Sequence, residues 1–149
     1  MRIIAGSAKG RRLKTPKNGS EIYPILSRVR QSLFDTIRPK IMGSHFLDLY
    51  AGAGIVGLEA ISRGAQFVAF VDKGREAWRL ITDNVAVLGA EKKVLIQQGD
   101  ILGGALMLLR AKLPPDFLFD LVFCAPPYLG RDRRGAVLVM SVPTLEKLR

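Results

Sequence analysis

Apolar residues along this chain form short continuous runs that alternate with runs at helical spacing. From His45 onward, Phe46–Tyr50, Phe67–Val71, Val94–Ile96 and Leu121–Phe123 read as four buried strands. Between them, residues 55–63, 76–88 and 105–113 carry helical periodicity, the first two ended by Gly64 and Gly89. Near-continuous apolar strands separated by helices predict an α/β fold with a parallel sheet covered on both faces. Upstream, Val29, Leu33, Phe34 and Ile37 mark a helix that Ser27 caps and Pro39 stops, with Arg28, Arg30 and Arg38 off its apolar stripe. Residues 2–14 predict two short strands around a Gly/Ser turn, a basic β-hairpin arm with few apolar residues of its own. Residues 15–24 read as a loop holding Pro16, Pro24 and the turn pair Asn18-Gly19. Residues 136–142 fit either a fifth strand or a helix ending at Pro143, and the stretch before them is barely long enough for a parallel crossover.

A chain of 149 residues is expected to be one domain. It divides into hairpin and loop (1–24), helix (25–40), strand–helix core (45–128) and a tail of different composition (129–149). No apolar run approaches the roughly 18 residues of a membrane span, and Met1–Gly6 opens no secretory signal. The single Cys124 cannot form an internal disulfide, which fits a reducing cytoplasm. Net charge changes the picture more. Of the formal +10, residues 1–40 supply ten Lys/Arg against two acids, whereas residues 41–130 hold eight against nine. A basic arm on a near-neutral body points to a polyanionic partner, nucleic acid above all, over a merely solubilising tail.

Gly52, Gly54 and Gly57 match G-x-G-x-x-G between a strand and a helix, and Asp72 stands at the end of the next strand. The glycines allow a tight turn and close approach to a ligand, and the acid can accept ribose hydroxyls. This pattern alone does not separate a dinucleotide from S-adenosylmethionine. Asp48 tilts the balance. A carboxylate beside the glycine turn is a poor neighbour for pyrophosphate but suits an ammonium and a sulfonium. Asp100, after the third strand, can reach an adenine amine or can simply cap a turn. All these positions lie at strand C-terminal ends, where open parallel sheets bind ligands.

Cys124-Ala-Pro-Pro-Tyr128 follows the fourth strand. Its prolines fix the backbone and leave carbonyl acceptors, and Tyr128 offers a flat face for a planar base. Amino-methyltransferases carry an [Asp/Asn]-Pro-Pro-[Tyr/Phe] motif at this place, and the segment keeps its Pro-Pro-Tyr part. With Arg2-Ile-Ile-Ala-Gly6, Ser27-Arg-Val-Arg-Gln-Ser-Leu-Phe-Asp35 and residues 47–65, it makes the chain resemble the RsmD family of bacterial small-subunit rRNA guanine-N2 methyltransferases, from Arg2 to Tyr128.

The resemblance implies a Rossmann-like class I methyltransferase sheet that binds S-adenosylmethionine and acts on rRNA or the small ribosomal subunit, without metal or membrane. It implies that Asp48, Tyr50, Gly52, Gly54, Asp72, Lys73, Asp100 and Ile101 hold the cofactor. Ala125, Pro126, Pro127 and Tyr128 would form the catalytic segment, and Arg2, Lys9, Arg11, Arg12, Lys14, Arg28 and Arg30 would meet RNA. Two departures stand out. Ala125 occupies the [Asp/Asn] position, and a methyl group accepts no hydrogen bond from the target amine, so impaired turnover is expected. Beyond Tyr128 the chain is shorter than the family pattern and unlike it, so an exposed sheet edge is expected. A non-catalytic RNA-binding protein of the same fold is the main alternative. A nicotinamide-dependent oxidoreductase explains neither the basic arm nor Pro-Pro-Tyr.

Overall fold

A computed structural model describes residues 1–126 and the backbone of Leu138–Ser141. Five strands form one sheet: β1 (His45–Leu49), β2 (Phe67–Asp72), β3 (Val94–Gln98), β4 (Leu121–Cys124) and β5 (Leu138–Ser141). The spatial order is β3-β2-β1-β4-β5, and β1 to β4 are mutually parallel. The fifth element, open to two readings from sequence, is a strand that runs antiparallel to β4, with Cys124 opposite Leu138. An antiparallel return needs no crossover helix, so the short connection is long enough.

Among the described residues, four α-helices accompany the sheet: α1 (Ser27–Ile41), α2 (Ile55–Ser62), α3 (Arg75–Leu88) and α4 (Leu106–Ala111). Strand parity divides the core into two layers. Phe46, Val68, Phe70, Leu121 and Phe123 face a layer shared with α1, α2 and α3. Leu47, Leu49, Ala69, Val71 and Val122 face the other, with Ala105 and Leu109 around α4. That alternation puts Asp48 on the α2 side of the sheet, although it sits inside an apolar strand.

Three local expectations change. Helix α1 continues through Pro39 to Ile41, and its N-cap is Leu26, with no side-chain cap. A proline in the last turn forfeits one hydrogen bond, and the buried Ile41 anchors the residues beyond it. The expected helix 105–113 begins instead as an irregular turn over Ile101–Ala105, where Gly104 has φ 107°. Asp100 caps that turn, its Oδ1 accepting from Leu102 N at 3.0 Å.

The two strands expected in residues 2–14 reduce to one antiparallel bridge, Arg2 with Arg12. That bridge is flanked by backbone bonds from Ile3 N to Arg11 O and from Leu13 N to Met1 O, and beyond it the segment turns its donors to α2. Ile4 and Ala5 give their N–H groups to Glu59 of α2, and Ala8 gives its own to Ser62 Oγ. The segment is therefore bound to the body, with Ile3 and Leu13 buried in the core. Among the described residues no helix is long and apolar enough to cross a membrane.

Candidate cofactor and RNA site

The C-terminal ends of β1, β2 and β3 are stitched together by their own backbone and by one carboxylate. Ala51 N donates to Val71 O at 3.2 Å, and Gly99 N donates to Asp72 O at 2.9 Å. Asp72 Oδ2 accepts from Gly52 N at 2.9 Å and its Oδ1 from Gly74 N at 2.8 Å. Asp72 thus holds the glycine turn against the start of α3.

The turn is built on left-handed backbone. Gly52 and Gly54 have φ 57° and 80°, and Tyr50 (φ 57°) is the one non-glycine with positive φ among the described residues. Left-handed backbone costs a bulky residue of order 1–3 kcal/mol, so Tyr50 is held by its surroundings at a site-forming position. Gly57 answers a different demand. A Cβ there would lie 2.3 Å from Phe70 Cε1, so α2 packs onto β2 only without a side chain.

Asp48 lies beneath this turn and is 1% exposed. Its Oδ2 accepts from Gly57 N at 3.0 Å, while Oδ1 is buried with no hydrogen-bond partner among the described residues. Burial pushes the carboxyl up to about 7, against the pull of the Gly57 N–H and with a further push from Asp72. A buried carboxylate oxygen without a partner is costly and suits a cationic or donor ligand.

The remaining expected cofactor residues gather on the same rim. Tyr50 and Ile101 are half-buried, and Lys73 and Asp100 are exposed. Lys73 also gives its carbonyl to Gln98 Nε2. Register brings the base-binding end alongside: Leu49 pairs with Cys124, so Ala125 follows β4 next to Tyr50. Ala125 is half-buried and Pro126 exposed, whereas Pro127 and Tyr128 lie outside the described residues.

The expected RNA contacts separate into two groups. Arg2, Lys9, Arg12 and Arg28 are exposed. Arg11 Nη1 donates to Val87 O at 2.8 Å, and Lys14 Nζ pairs with Asp83 at 2.9 Å, so both are tied to α3. Arg30 is a correction. It is 2% exposed, donates from Nη2 to Arg2 O at 2.6 Å, and has Nε 3.4 Å from Glu59 Oε2. Its place is inside the protein, fastening the N-terminal segment, because Glu59 is buried opposite it and also accepts Arg63 Nε at 2.9 Å. Burial draws the Arg30 guanidinium below its ordinary value, with Glu59 opposing that effect.

Other residues at the site were not singled out from sequence. Asn84, fully buried, accepts from Lys14 N at 2.7 Å and donates to Ala53 O at 3.2 Å, joining the N-terminal segment to the glycine turn. Ile22 lies against the turn, its Cγ2 3.1 Å from where a Gly52 Cβ would stand. Glu59 and Asn84 did carry a signal: each is polar at a position whose helical spacing is apolar.

Strand order 3-2-1-4-5, a glycine turn after β1 and acids ending β1 and β2 define a class I methyltransferase-like fold. Residues 1–146 match the model of the family described as Conserved hypothetical protein 95, and the chain belongs to that family, the RsmD family of class I S-adenosylmethionine-dependent methyltransferases. It is 36% identical to YlbH of Bacillus subtilis (strain 168) over 95% of this chain and 74% of that protein. It is 33% identical to Ribosomal RNA small subunit methyltransferase D of Escherichia coli (strain K12) over 91% of this chain. The matched stretch spans 62% of that enzyme's length. Among solved structures, a hypothetical protein of Thermus thermophilus superposes with TM-score 0.70 at 35% identity, covering 86% of this chain and 70% of that one. The C-terminal domain of precorrin-6Y C5,15-methyltransferase from Rhodobacter capsulatus shares the fold at TM-score 0.54 and 20% identity, over 66% of this chain and 48% of that one.

Proposed function

We propose that this chain binds S-adenosylmethionine above Asp48 and methylates the exocyclic N2 of a guanine in small-subunit rRNA. The observation that carries the reading is the fully buried Oδ1 of Asp48 beneath the glycine turn, which has no hydrogen-bond partner among the described residues. It fits the cofactor's ammonium and disfavours a pyrophosphate. S-adenosylmethionine, when bound, supplies an electrophilic methyl on its sulfonium. Asp72 uses one lone pair on each oxygen for Gly52 and Gly74 and keeps others for ribose hydroxyls. Asp100, with one oxygen capping Leu102, offers the other toward an adenine amine, between Lys73 and Ile101.

At the acceptor end the Pro126 carbonyl and the face of Tyr128 would hold the base, and exposed Arg2, Lys9, Arg12 and Arg28 would bind phosphates. Positioning of the amine against the methyl would then supply much of the acceleration. Ala125 lies where the motif calls for an acid or amide, and its methyl cannot accept from the amine. Losing one positioned acceptor slows a reaction by about 10²–10³-fold. That same residue favours a second reading, a cofactor- and RNA-binding protein of this fold without turnover.

The test is to incubate small ribosomal subunits lacking N2-methylguanine with the protein and methyl-labelled S-adenosylmethionine. Label in guanine N2 supports the enzyme reading. Cofactor and RNA binding without label selects the second, and neither rejects both. Ala125→Asp is expected to raise the rate about 100-fold, by the same measure of one positioned acceptor, and an unchanged rate removes Ala125 from the account.

A further inference from the structure

The N-terminal segment does not merely touch α3 but runs antiparallel along it. Arg11 bonds the carbonyl of Val87, Lys14 meets Asp83 and Asn84, and Lys17 N and Ser20 Oγ meet Glu76. As the segment advances, its partners step back along the helix toward the sheet rim where Asp72 and Gly52 lie. The two acids of α3 are both used in this docking: Asp83 pairs with Lys14, and Glu76 accepts from Ser20 and Lys17. Among the described residues, the cations beside them keep no such partner on the helix.

On the adjoining face of α3, Arg75, Trp78 and Arg79 stand at i, i+3 and i+4 and so share one side. Arg75 and Arg79 are exposed, and Trp78 leaves 41% of its surface to solvent. Lys73 is exposed just ahead of them. Cations in a row beside an exposed indole are what a single-stranded nucleic acid uses: phosphates on the charges, a base on the ring.

We propose that Arg75, Trp78 and Arg79 of α3, with the docked segment beside them, form a track for an unpaired stretch of the RNA substrate, leading from α3 to the cofactor rim. This deepens, and rests on, the RNA methyltransferase reading. It also gives the basic N-terminus a fixed geometry, because the segment is held in register with the helix.

Trp78 is the single tryptophan of the chain, so its fluorescence reports on this surface alone. The full chain is titrated with a mixed-sequence single-stranded RNA of about 12 nucleotides, within the span of one such binding surface, across a salt series. Quenching of Trp78 is expected on binding. Arg75→Gln/Arg79→Gln should lower the steepness of log K against log[salt] by about 1.4, two phosphates at ~0.7 each. Trp78→Leu, read by the anisotropy of a dye-labelled copy of the same RNA, should weaken binding about fivefold or more and leave that slope unchanged. Thermal melting and affinity for S-adenosylmethionine should stay at wild-type values in both variants. RNA binding with unaltered Trp78 emission and an unaltered slope in the double variant overturns the track. The methyltransferase reading then still stands, provided Arg2→Gln/Arg12→Gln weakens RNA binding. A wild type that binds phosphatidylserine vesicles but no RNA overturns both.

Discussion

Asp48 and Gly57 are joined across the glycine turn by a single hydrogen bond of 3.0 Å from backbone N to Oδ2, and this is the only bond the buried Asp48 carboxylate receives among the described residues. The pair shows why the acid is expensive. It is tolerated in an apolar strand because α2 begins directly above it, yet one of its oxygens is left bare.

A pH dependence follows. The folded protein holds the Asp48 proton up to about 7, above the ordinary 3.8. The folded state therefore binds more protons than the unfolded one between those values. The stability tied to Asp48 is full below about 4 and is lost as pH rises through 7, by on the order of 4 kcal/mol. Asp48→Asn removes that titration. Urea unfolding should show the variant gaining on wild type between about pH 4 and 8, the window set by those two values. Calorimetry should show at least tenfold weaker S-adenosylmethionine binding above about pH 7, where the carboxylate would otherwise meet the ammonium as a charge-assisted bond.

Asp72 makes the opposite kind of case, a carboxylate already used by the protein. Asp72→Asn keeps the shape but turns an amide toward Gly52 N or Gly74 N, donor against donor. Losing one such partly buried bond costs about 1–3 kcal/mol. Thermal unfolding should report that loss. Cofactor affinity should fall by more than tenfold, because the same change removes an acceptor for ribose. Equal cofactor affinity in the variant would show that Asp72 serves the turn alone.

Much of this architecture was legible because its strands are buried on both faces and its helices end at glycines. The rim that holds the candidate site was legible for the same reason: Asp48, Gly52, Gly54 and Asp72 sit at strand ends, and a parallel sheet gathers strand ends. What escaped depended on distant partners. Arg30 stands four residues before Phe34, seven before Ile37 and eleven before Ile41, squarely on the buried stripe of α1. The stripe drawn from sequence through Val29, Leu33, Phe34 and Ile37 left Arg30 off it, whereas the buried face runs through Arg30, Phe34, Ile37 and Ile41. Glu59, which makes that burial possible, is far away in sequence. The N-terminal pairing is shorter than the two strands expected, a single bridge flanked by bonds from Ile3 N to Arg11 O and Leu13 N to Met1 O. The N–H groups of Ala5 and Ala8 further along are taken by Glu59 and Ser62.

Gly57→Ala sets two magnitudes against each other. Alanine is favoured over glycine in a helix by about 1 kcal/mol. Against that, the new Cβ would stand 2.3 Å from Phe70 Cε1 and 2.8 Å from Val68 Cγ1, and both side chains are fully buried. Overpacking of this kind costs about 1–3 kcal/mol and displaces the helix start. The variant should be less stable in denaturant. Gly89→Ala is a control for mere glycine removal, since its Cβ would meet nothing within 4 Å although its φ of 64° still carries a strain penalty.

The Glu59 centre allows the sharpest test of how the N-terminal segment is held. Glu59 is fully buried and receives Ile4 N, Ala5 N and Arg63 Nε, with Arg30 across from it. Glu59→Ala strips the countercharge from a buried arginine and releases the two backbone donors, a loss of about 3–5 kcal/mol. Arg30→Met alone leaves Glu59 with Arg63 and should cost less. Replacing both, Glu59→Leu with Arg30→Met, should recover part of the Glu59→Ala loss, because the buried Arg30 charge goes with its partner, while Arg63 Nε and the Ile4 and Ala5 N–H groups still lose their acceptor. The segment itself provides the second readout. Once Ile4 and Ala5 lose their acceptor, trypsin should cut at Arg11 or Arg12 much faster in Glu59→Ala than in Arg30→Met, at temperatures where both remain folded by circular dichroism. Equal cleavage rates would mean that Ile3 and Leu13, buried in the core, hold the segment without help from the acid.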